Sequence, residues 1–166
     1  LAAYGVSVQR MQASPRHDIP SFMQFALPGI VQLVFHGGDR HLASNLNVMR
    51  SLMVSSSSDR AAYDVQATLQ QQASILNPYH EDNYYIAGAV LAWEGHLDAA
   101  QFVLSRATDA RDWDFLPPFL TGFNYFYFVK DGVQAGAYAN RAADRLRDGQ
   151  ARSMRDLAAR WLGTSS

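Results

Sequence analysis

The chain has 166 residues and is 48% hydrophobic, so it can bury the core of one compact domain or of a short helical array, and disorder is not expected. Its formal net charge of -1 gives no global reason to expect nucleic acid or an anionic membrane as a partner. Because it contains no cysteine, disulfides, thiolate zinc sites and cysteine nucleophiles are excluded.

Charge is distributed unevenly along the chain. Residues 61–105 contain no Lys or Arg, and the segments on either side are mildly basic. The acidic residues of this middle segment are Asp64, Glu81, Asp82, Glu94 and Asp98. The middle of the chain is therefore acidic, although the chain as a whole is close to neutral.

Residues 1–38 are predicted to form an N-terminal arm followed by a short apolar helix. Two prolines interrupt any periodicity in the arm, and its opening LAAYGVSV is typical of the end of an export signal or membrane anchor, although it is too short to span a bilayer. Pro28 then begins an apolar helix over residues 28–35, which Gly37 and Gly38 end. We expect the rest of the domain to bury this helix, with contact to a membrane or a partner as the alternative.

Two longer helices are predicted between residues 39 and 76. Asp39 is placed to cap the first helix, whose apolar residues recur at helical spacing: Leu42, Leu46, Met49, Leu52 and Met53. The serines at 55–58 predict a connecting loop, and Asp59 is placed to cap the second helix. One apolar stripe follows the second helix, formed by Ala62, Val65, Leu69, Ala73 and Leu76.

A helical hairpin is predicted over residues 76–107. Asn77 and Pro78 break the preceding helix, and carboxylates in the next turn favour the start of a new helix that ends at Gly95. Its partner helix covers residues 97–110. Gly88 lies inside the first helix, where glycine costs about 1 kcal/mol, so we expect close packing there, most simply by the partner helix.

A third pair and a final helix complete the chain. An aromatic helix is predicted from Leu116 to about Val129, followed by a turn at residues 130–132 and a helix through Arg147. A last amphipathic helix, beyond Gly149, is predicted to cap the array. The aromatic helix has rings on nearly every side, so either its neighbours cover it or one face is left for a partner.

The hairpin over residues 76–107 resembles the tetratricopeptide repeat family, whose period is 34 residues. Its matching residues are Tyr84, Gly88, Leu91, Ala100, Leu104 and Ala107. A shift of 35 residues gives a second set in which Phe123 replaces the small residue, namely Phe119, Phe123, Phe126, Ala135, Ala139 and Ala142. The resemblance implies an all-α fold in which tetratricopeptide-like antiparallel helix hairpins form a short right-handed solenoid over residues 39–148. Residues 149–166 would then be the C-terminal capping helix, and a generic helical bundle is the alternative.

The resemblance also implies a concave groove lined by the first helix of each pair. Carried over position by position, the predicted partner-binding residues are Asp82, Tyr85, Ala89 and Ala92 from the middle pair and Leu120, Asn124 and Tyr127 from the next, with Trp93 and Lys130 near the rim. Aromatic side chains and fixed polar groups are common anchors in protein interfaces.

Catalytic patterns are absent from the sequence, which contains no HExxH, GxSxG, Walker loop or GxGxxG. The pair His36 and His41 flanks Asp39, but a helix stop followed by an N-cap explains this segment without a metal. The run from His80 through Glu81 to Asp82 is the remaining candidate for a metal-dependent enzyme, yet the start of a helix explains its carboxylates. We therefore predict no enzyme, cofactor or metal site.

The favoured function is a non-catalytic scaffold, adaptor or accessory subunit that holds a protein partner and no nucleic acid. A membrane-associated complex of a bacterial cell envelope or periplasm is the expected setting, with membrane contact through the N-terminal region, and the cytoplasm is the alternative. The competing hypothesis is a structural protein that assembles with copies of itself into an oligomer or filament. The partner itself is not encoded in any motif.

Overall fold

A computed structural model describes residues 26–54 and 60–163, and every regular element in these two ranges is helical, which confirms the all-α prediction. The expected N-terminal arm up to residue 25, the serine connector and the Asp59 cap lie outside the described residues. In chain order the helices are α1 Gly29–Phe35, α2 Arg40–Val54, α3 Arg60–Leu76, α4 Glu81–Ile86, α5 Leu97–Ala110, α6 Leu116–Asn124, α7 Gly132–Ala143 and α8 Asp148–Leu162.

Two helices continue without a break into π-helical segments. Helix α4 passes into Ala87–Leu91, and α6 passes into Tyr125–Val129. The second segment ends at Lys130, which has the left-handed backbone conformation with φ of 63°. Single π-helical turns occur frequently at functional sites because they redirect the side chains that follow.

Helix packing follows the order of the chain. α2 packs on α3, α6 on α7, and α7 on α8, while α5 contacts α3, α4 and α6. The apolar centre lies between α4, its π-helical segment and α5, where Tyr84, Leu91 and Leu104 are at most 1% exposed. The predicted second set of alanines is also fully buried, at Ala135, Ala139 and Ala142.

Most predicted helix limits agree with the structure. The backbone N–H groups of His41 and Leu42 donate to Asp39 Oδ1 at 2.9 and 3.0 Å, so Asp39 caps α2 as predicted. The helix expected to continue through Arg147 instead ends at Ala143. Arg145 lies in the turn that follows and donates to the backbone carbonyls of Thr108, Arg111 and Asp114 at 2.7–2.9 Å. These three bonds tie the turn to the end of α5.

Glycines mark the closest helix contacts. A Cβ added to Gly88 would lie 3.0 Å from Leu120 Cδ1 on α6 and 3.7 Å from Leu104 on α5. The predicted close packing is therefore present, but the nearest neighbour is α6 rather than the partner helix α5. Gly122 lies 34 residues after Gly88 and is closer still, since its added Cβ would lie 2.9 Å from the backbone oxygen of Ala135.

The apolar stripe predicted for α2 does not face the core. Its five residues are between 36% and 54% exposed, namely Leu42, Leu46, Met49, Leu52 and Met53. The buried side of α2 instead carries small and polar residues, including Ala43, Ser44, Asn47 and Ser51. The expected burial of the 28–35 helix is also wrong, because Ile30, Val34 and Phe35 of α1 are 70–77% exposed. Both helices pack through the side that the apolar pattern did not mark.

A polar seam replaces the expected apolar contact beneath α2. Gln32 of α1 joins it through 2.6 Å hydrogen bonds with Gln72 and Asn47. Farther along α3, Gln66 and Gln70 are fully buried, and their side-chain amides make no hydrogen bond within the described residues. The stripe predicted for α3 is nevertheless buried at Leu69, Ala73 and Leu76.

Candidate partner-binding surface

The structure divides the predicted groove residues among three places. Asp82 and Tyr85 line a groove between α2 and α4. Trp93, Tyr127 and Lys130 meet in a separate group of side chains near the ends of the two π-helical segments. Of the remaining predicted residues, Ala89 is exposed, whereas Ala92, Leu120 and Asn124 point toward the interior.

The second group, called here the aromatic cluster, consists of Trp93, Phe123, Tyr127 and Phe128 with Lys130. The Trp93 ring centroid lies 5.1 Å from the ring centroids of both Tyr127 and Phe128. Phe123 stacks on Tyr127 with centroids 5.6 Å apart, and Lys130 Nζ lies 5.0 Å from the Tyr127 ring centroid. These distances are those of favourable ring pairs and of a cation–π contact.

The aromatic cluster is held in place yet open to solvent. Trp93 is 54% exposed and Tyr127 is 43% exposed, although each ring already contacts another ring. Neighbouring helices cover the other rings of the aromatic helix, because Tyr125 stacks on Tyr138 of α7 and Phe126 stacks on Trp161 of α8. The aromatic helix is thus buried on most sides, with one side open at Tyr127.

The groove between α2 and α4, called here the α2/α4 groove, has a volume of about 760 Å³. Tyr85 is 43% exposed there and stacks on the buried Tyr84 with ring centroids 4.8 Å apart. Most of its lining surface is apolar, with Asp82 and His80 as its ionisable groups. The full lining is Asn45, Val48, Met49, Leu52, His80, Asp82, Tyr85 and Ile86.

Two predicted groove residues are placed differently by the structure. Asn124 is 1% exposed and its amide nitrogen has no hydrogen-bond partner among the described residues, so it does not present a surface group. Leu120 packs over Gly88. The prediction used a 35-residue shift, whereas the closely packed glycines Gly88 and Gly122 are 34 residues apart. With the shorter shift, Trp93 corresponds to Tyr127, and the two rings are indeed in contact.

The His80, Glu81 and Asp82 run begins α4 as the sequence predicted. Glu81 Oε2 accepts a hydrogen bond from Arg111 at 3.2 Å, which engages this carboxylate in a structural ion pair. Burial lowers the pKa of His80, and the neighbouring Asp82 carboxylate opposes this shift only in part. Across residues 26–54 and 60–163, no three side chains of the His, Cys, Asp or Glu type are arranged to hold a metal ion.

An ionic and aromatic network fixes the start of α4 to the turn before α6. The Tyr84 hydroxyl donates to Asp114 Oδ2 at 2.6 Å, and Arg111 Nε donates to the same oxygen at 3.0 Å. Arg111 also lies over the rings of Tyr84 and Trp113, with its central carbon 5.4 and 5.3 Å from their centroids. The network is largely enclosed and has a structural role between the second and third helix pairs.

Several residues of this surface were not predicted from the sequence. Phe123 and Phe128 belong to the aromatic cluster, and Met49 and Leu52 form one wall of the α2/α4 groove. The 34-residue spacing of Gly88 and Gly122 was the available signal for Phe123, because it places Phe123 opposite Ala89. For Met49 and Leu52 the apolar stripe was visible, but its period alone does not tell which side of a helix is covered.

Comparison with known proteins yields no match, whether to protein-family models, to curated proteins or to solved structures. In the described part of the chain, none of the helices combines the length and the apolar character needed to cross a membrane. The chemistry of the exposed surface is therefore what bears on function.

Proposed function

We propose that the protein is a non-catalytic scaffold of tetratricopeptide-like helical hairpins that binds a protein partner through its first helices α4 and α6. The observation that carries this proposal is the aromatic cluster. It presents a half-exposed tryptophan and tyrosine that contact each other across two hairpins, with a lysine over the tyrosine ring.

The composition of the aromatic cluster is that of a binding hot spot. Trp, Tyr and Phe are enriched in interface centres, where single residues contribute about 2 kcal/mol or more to binding. Rings that already pack on one another lose little conformational freedom when a partner covers them. Trp93 and Tyr127 therefore offer a partner rigid apolar area, and Lys130 favours a carboxylate close to it.

The arrangement of the helices supports the scaffold proposal. Successive helices of the described chain contact their neighbours in order, and the small residues that pack most closely recur after 34 or 35 residues. This spacing is that of the tetratricopeptide repeat. In such an arrangement the first helices lie side by side, as the contact between Gly88 of α4 and Leu120 of α6 requires.

Quantitative affinity capture from the native host tests this function. The chain carrying Trp93→Ser and Tyr127→Ser is compared with the unchanged chain, and each captured protein is quantified by mass spectrometry. We expect at least one protein to be retained by the unchanged chain and reduced about 10-fold or more by the double variant.

Trp113→Ser is the matched control, because Trp113 is 60% exposed but lies outside the aromatic cluster. Circular dichroism must show that both variants remain helical. If every captured protein is retained equally by the folded double variant, the aromatic cluster does not bind the partner.

A further inference from the structure

Helix α2 has its apolar side turned toward solvent. Leu42, Leu46, Met49, Leu52 and Met53 are all at least 36% exposed, and the buried side of the helix is small and polar. A surface helix normally buries its apolar stripe, and contiguous exposed apolar surface is typical of an interaction site. The exposed side of α2 is therefore a surface to be covered.

The α2/α4 groove gives this surface a shape. Met49 and Leu52 form the α2 wall, and Tyr85 and Ile86 form the α4 wall. A groove with two helical walls and an apolar floor suits the apolar side of an incoming helix, whose anchors are spaced at i, i+3 or i+4, and i+7. Methionine in the wall adapts its flexible side chain to such anchors.

The charge of the groove restricts its partner. Asp82 is exposed in the lining, and no Lys or Arg is among the lining residues. Burial lowers the pKa of His80 from its ordinary 6.5, so the imidazole is neutral near pH 7 and does not neutralise Asp82. A negative rim beside an apolar floor favours a partner with Lys or Arg beside its apolar anchors.

A second copy of the chain does not offer such a segment through its basic helix. Helix α8 carries Arg152, Arg155 and Arg160. Its apolar residues Ala151, Ala158 and Trp161 are already buried. The helix would have to leave its own domain to occupy the groove of another copy, so a different protein is the better occupant.

We propose that the α2/α4 groove binds an amphipathic helix of a partner protein, with the apolar side of that helix on Met49, Leu52, Tyr85 and Ile86 and a Lys or Arg beside Asp82. This rests on the proposed scaffold function, but it concerns a surface separate from the aromatic cluster. The acidic rim also disfavours an anionic membrane as the occupant.

Selection from a displayed library of helical peptides tests the proposal on the full chain. The library randomises positions around one helical turn repeat, and the selected peptides are synthesised and measured by fluorescence anisotropy. We expect enriched peptides with apolar residues at i, i+3 or i+4, and i+7 and with Lys or Arg beside them.

The variants Met49→Gln with Leu52→Gln, and separately Asp82→Lys, are expected to weaken the selected peptides about 10-fold or more. Val133→Gln is the matched control, because Val133 is 60% exposed on α7, and it should leave affinity unchanged. A peptide in which Glu replaces the Lys or Arg should bind the unchanged chain weakly and the Asp82→Lys variant better.

The proposal is overturned if no peptides are enriched, if the enriched peptides are acidic, or if the folded groove variants bind them normally. It is also overturned if light scattering shows a dimer that the Met49 and Leu52 changes dissociate, since a second copy then covers the groove. Retention of a partner through Trp93 and Tyr127 under any of these outcomes leaves the scaffold function standing and removes only the groove.

Discussion

At the scale of single residues, glycine positions determine how closely the helices approach. Gly88 was predicted from its cost inside a helix, and Leu120 and Leu104 do pack over it. Gly122 was passed over because a 35-residue shift aligned Phe123 with Gly88. The sequence therefore showed that a small residue was needed, but a one-residue difference in spacing decided which side chains of α6 faced outward.

Gly122→Ala tests this close contact. The added Cβ would lie 2.9 Å from the backbone oxygen of Ala135 and 3.2 Å from the Trp161 ring, so helices must shift. We expect a loss of about 1–3 kcal/mol in the free energy of unfolding, measured by urea denaturation.

Gly149→Ala is the matched control for a glycine inside a helix. Nothing lies within 4 Å of its added Cβ, so it should gain up to about 1 kcal/mol from the better helix propensity of alanine. Equal effects of the two substitutions would show that Gly122 is not closely packed.

Asp114 makes the stability of the protein depend on acid pH. Burial raises the pKa of Asp114, but hydrogen bonds from Tyr84, the Leu116 backbone and Arg111 outweigh burial and hold the pKa below its ordinary 3.8. A carboxyl group with a lowered pKa stabilises the fold above its unfolded-state pKa of about 3.9. That contribution is lost as the pH falls from there through the folded-state pKa.

Asp114→Asn should lower the free energy of unfolding by about 1–3 kcal/mol near neutral pH, because the charged partner of Arg111 is gone. The deficit should shrink below about pH 4, where the unchanged chain also loses its charge. Urea denaturation across this range measures the difference. Asp144→Asn is the control, because its 3.0 Å pair with Arg155 is exposed and should contribute under about 1 kcal/mol. A deficit for Asp114→Asn that is constant with pH would rule out this linkage.

At the scale of helices, most elements and their limits could be predicted, and what covers them could not. Periodicity placed α2 and α5 correctly because apolar spacing, an aspartate cap and glycine stops are local signals. The same periodicity predicted the wrong buried side for α2. An apolar stripe shows only that a helix has two different sides, while the seam of Gln32, Asn47, Gln66 and Gln70 decides which side packs inward.

The buried amides of Gln66 and Gln70 provide a test of this seam. A buried amide without a hydrogen bond costs about 1–3 kcal/mol, and neither amide has a partner in the described ranges. Gln66→Met and Gln70→Met, which keep similar volume, should each raise the denaturation midpoint. Gln32→Met should lower it, because Gln32 loses its 2.6 Å bonds with Leu27, Asn47 and Gln72. A lower midpoint for all three variants would show that the α3 amides are paired.

At the scale of the whole molecule, the acidic middle of the chain coincides with the surface left open. α4 contributes Asp82 and Tyr85 to the α2/α4 groove, and its π-helical segment leads to Trp93 in the aromatic cluster. A chain that binds through its first helices therefore has two neighbouring contact areas joined by α4. Charge counting alone identified the acidic segment, but the meeting of distant rings depended on how the helix pairs stack.

Site-specific photocross-linking at Ala89 tests the central claim most directly. Ala89 is exposed on the segment between Tyr85 and Trp93, so a benzophenone side chain there would lie between the two contact areas. The same group at Arg152, on the exposed side of α8, is the control. In the native host we predict a discrete cross-linked partner from position 89, lost on Trp93→Ser with Tyr127→Ser, and none from position 152. A partner cross-linked from position 152 and not from position 89 would contradict the assignment of the binding surface to the first helices.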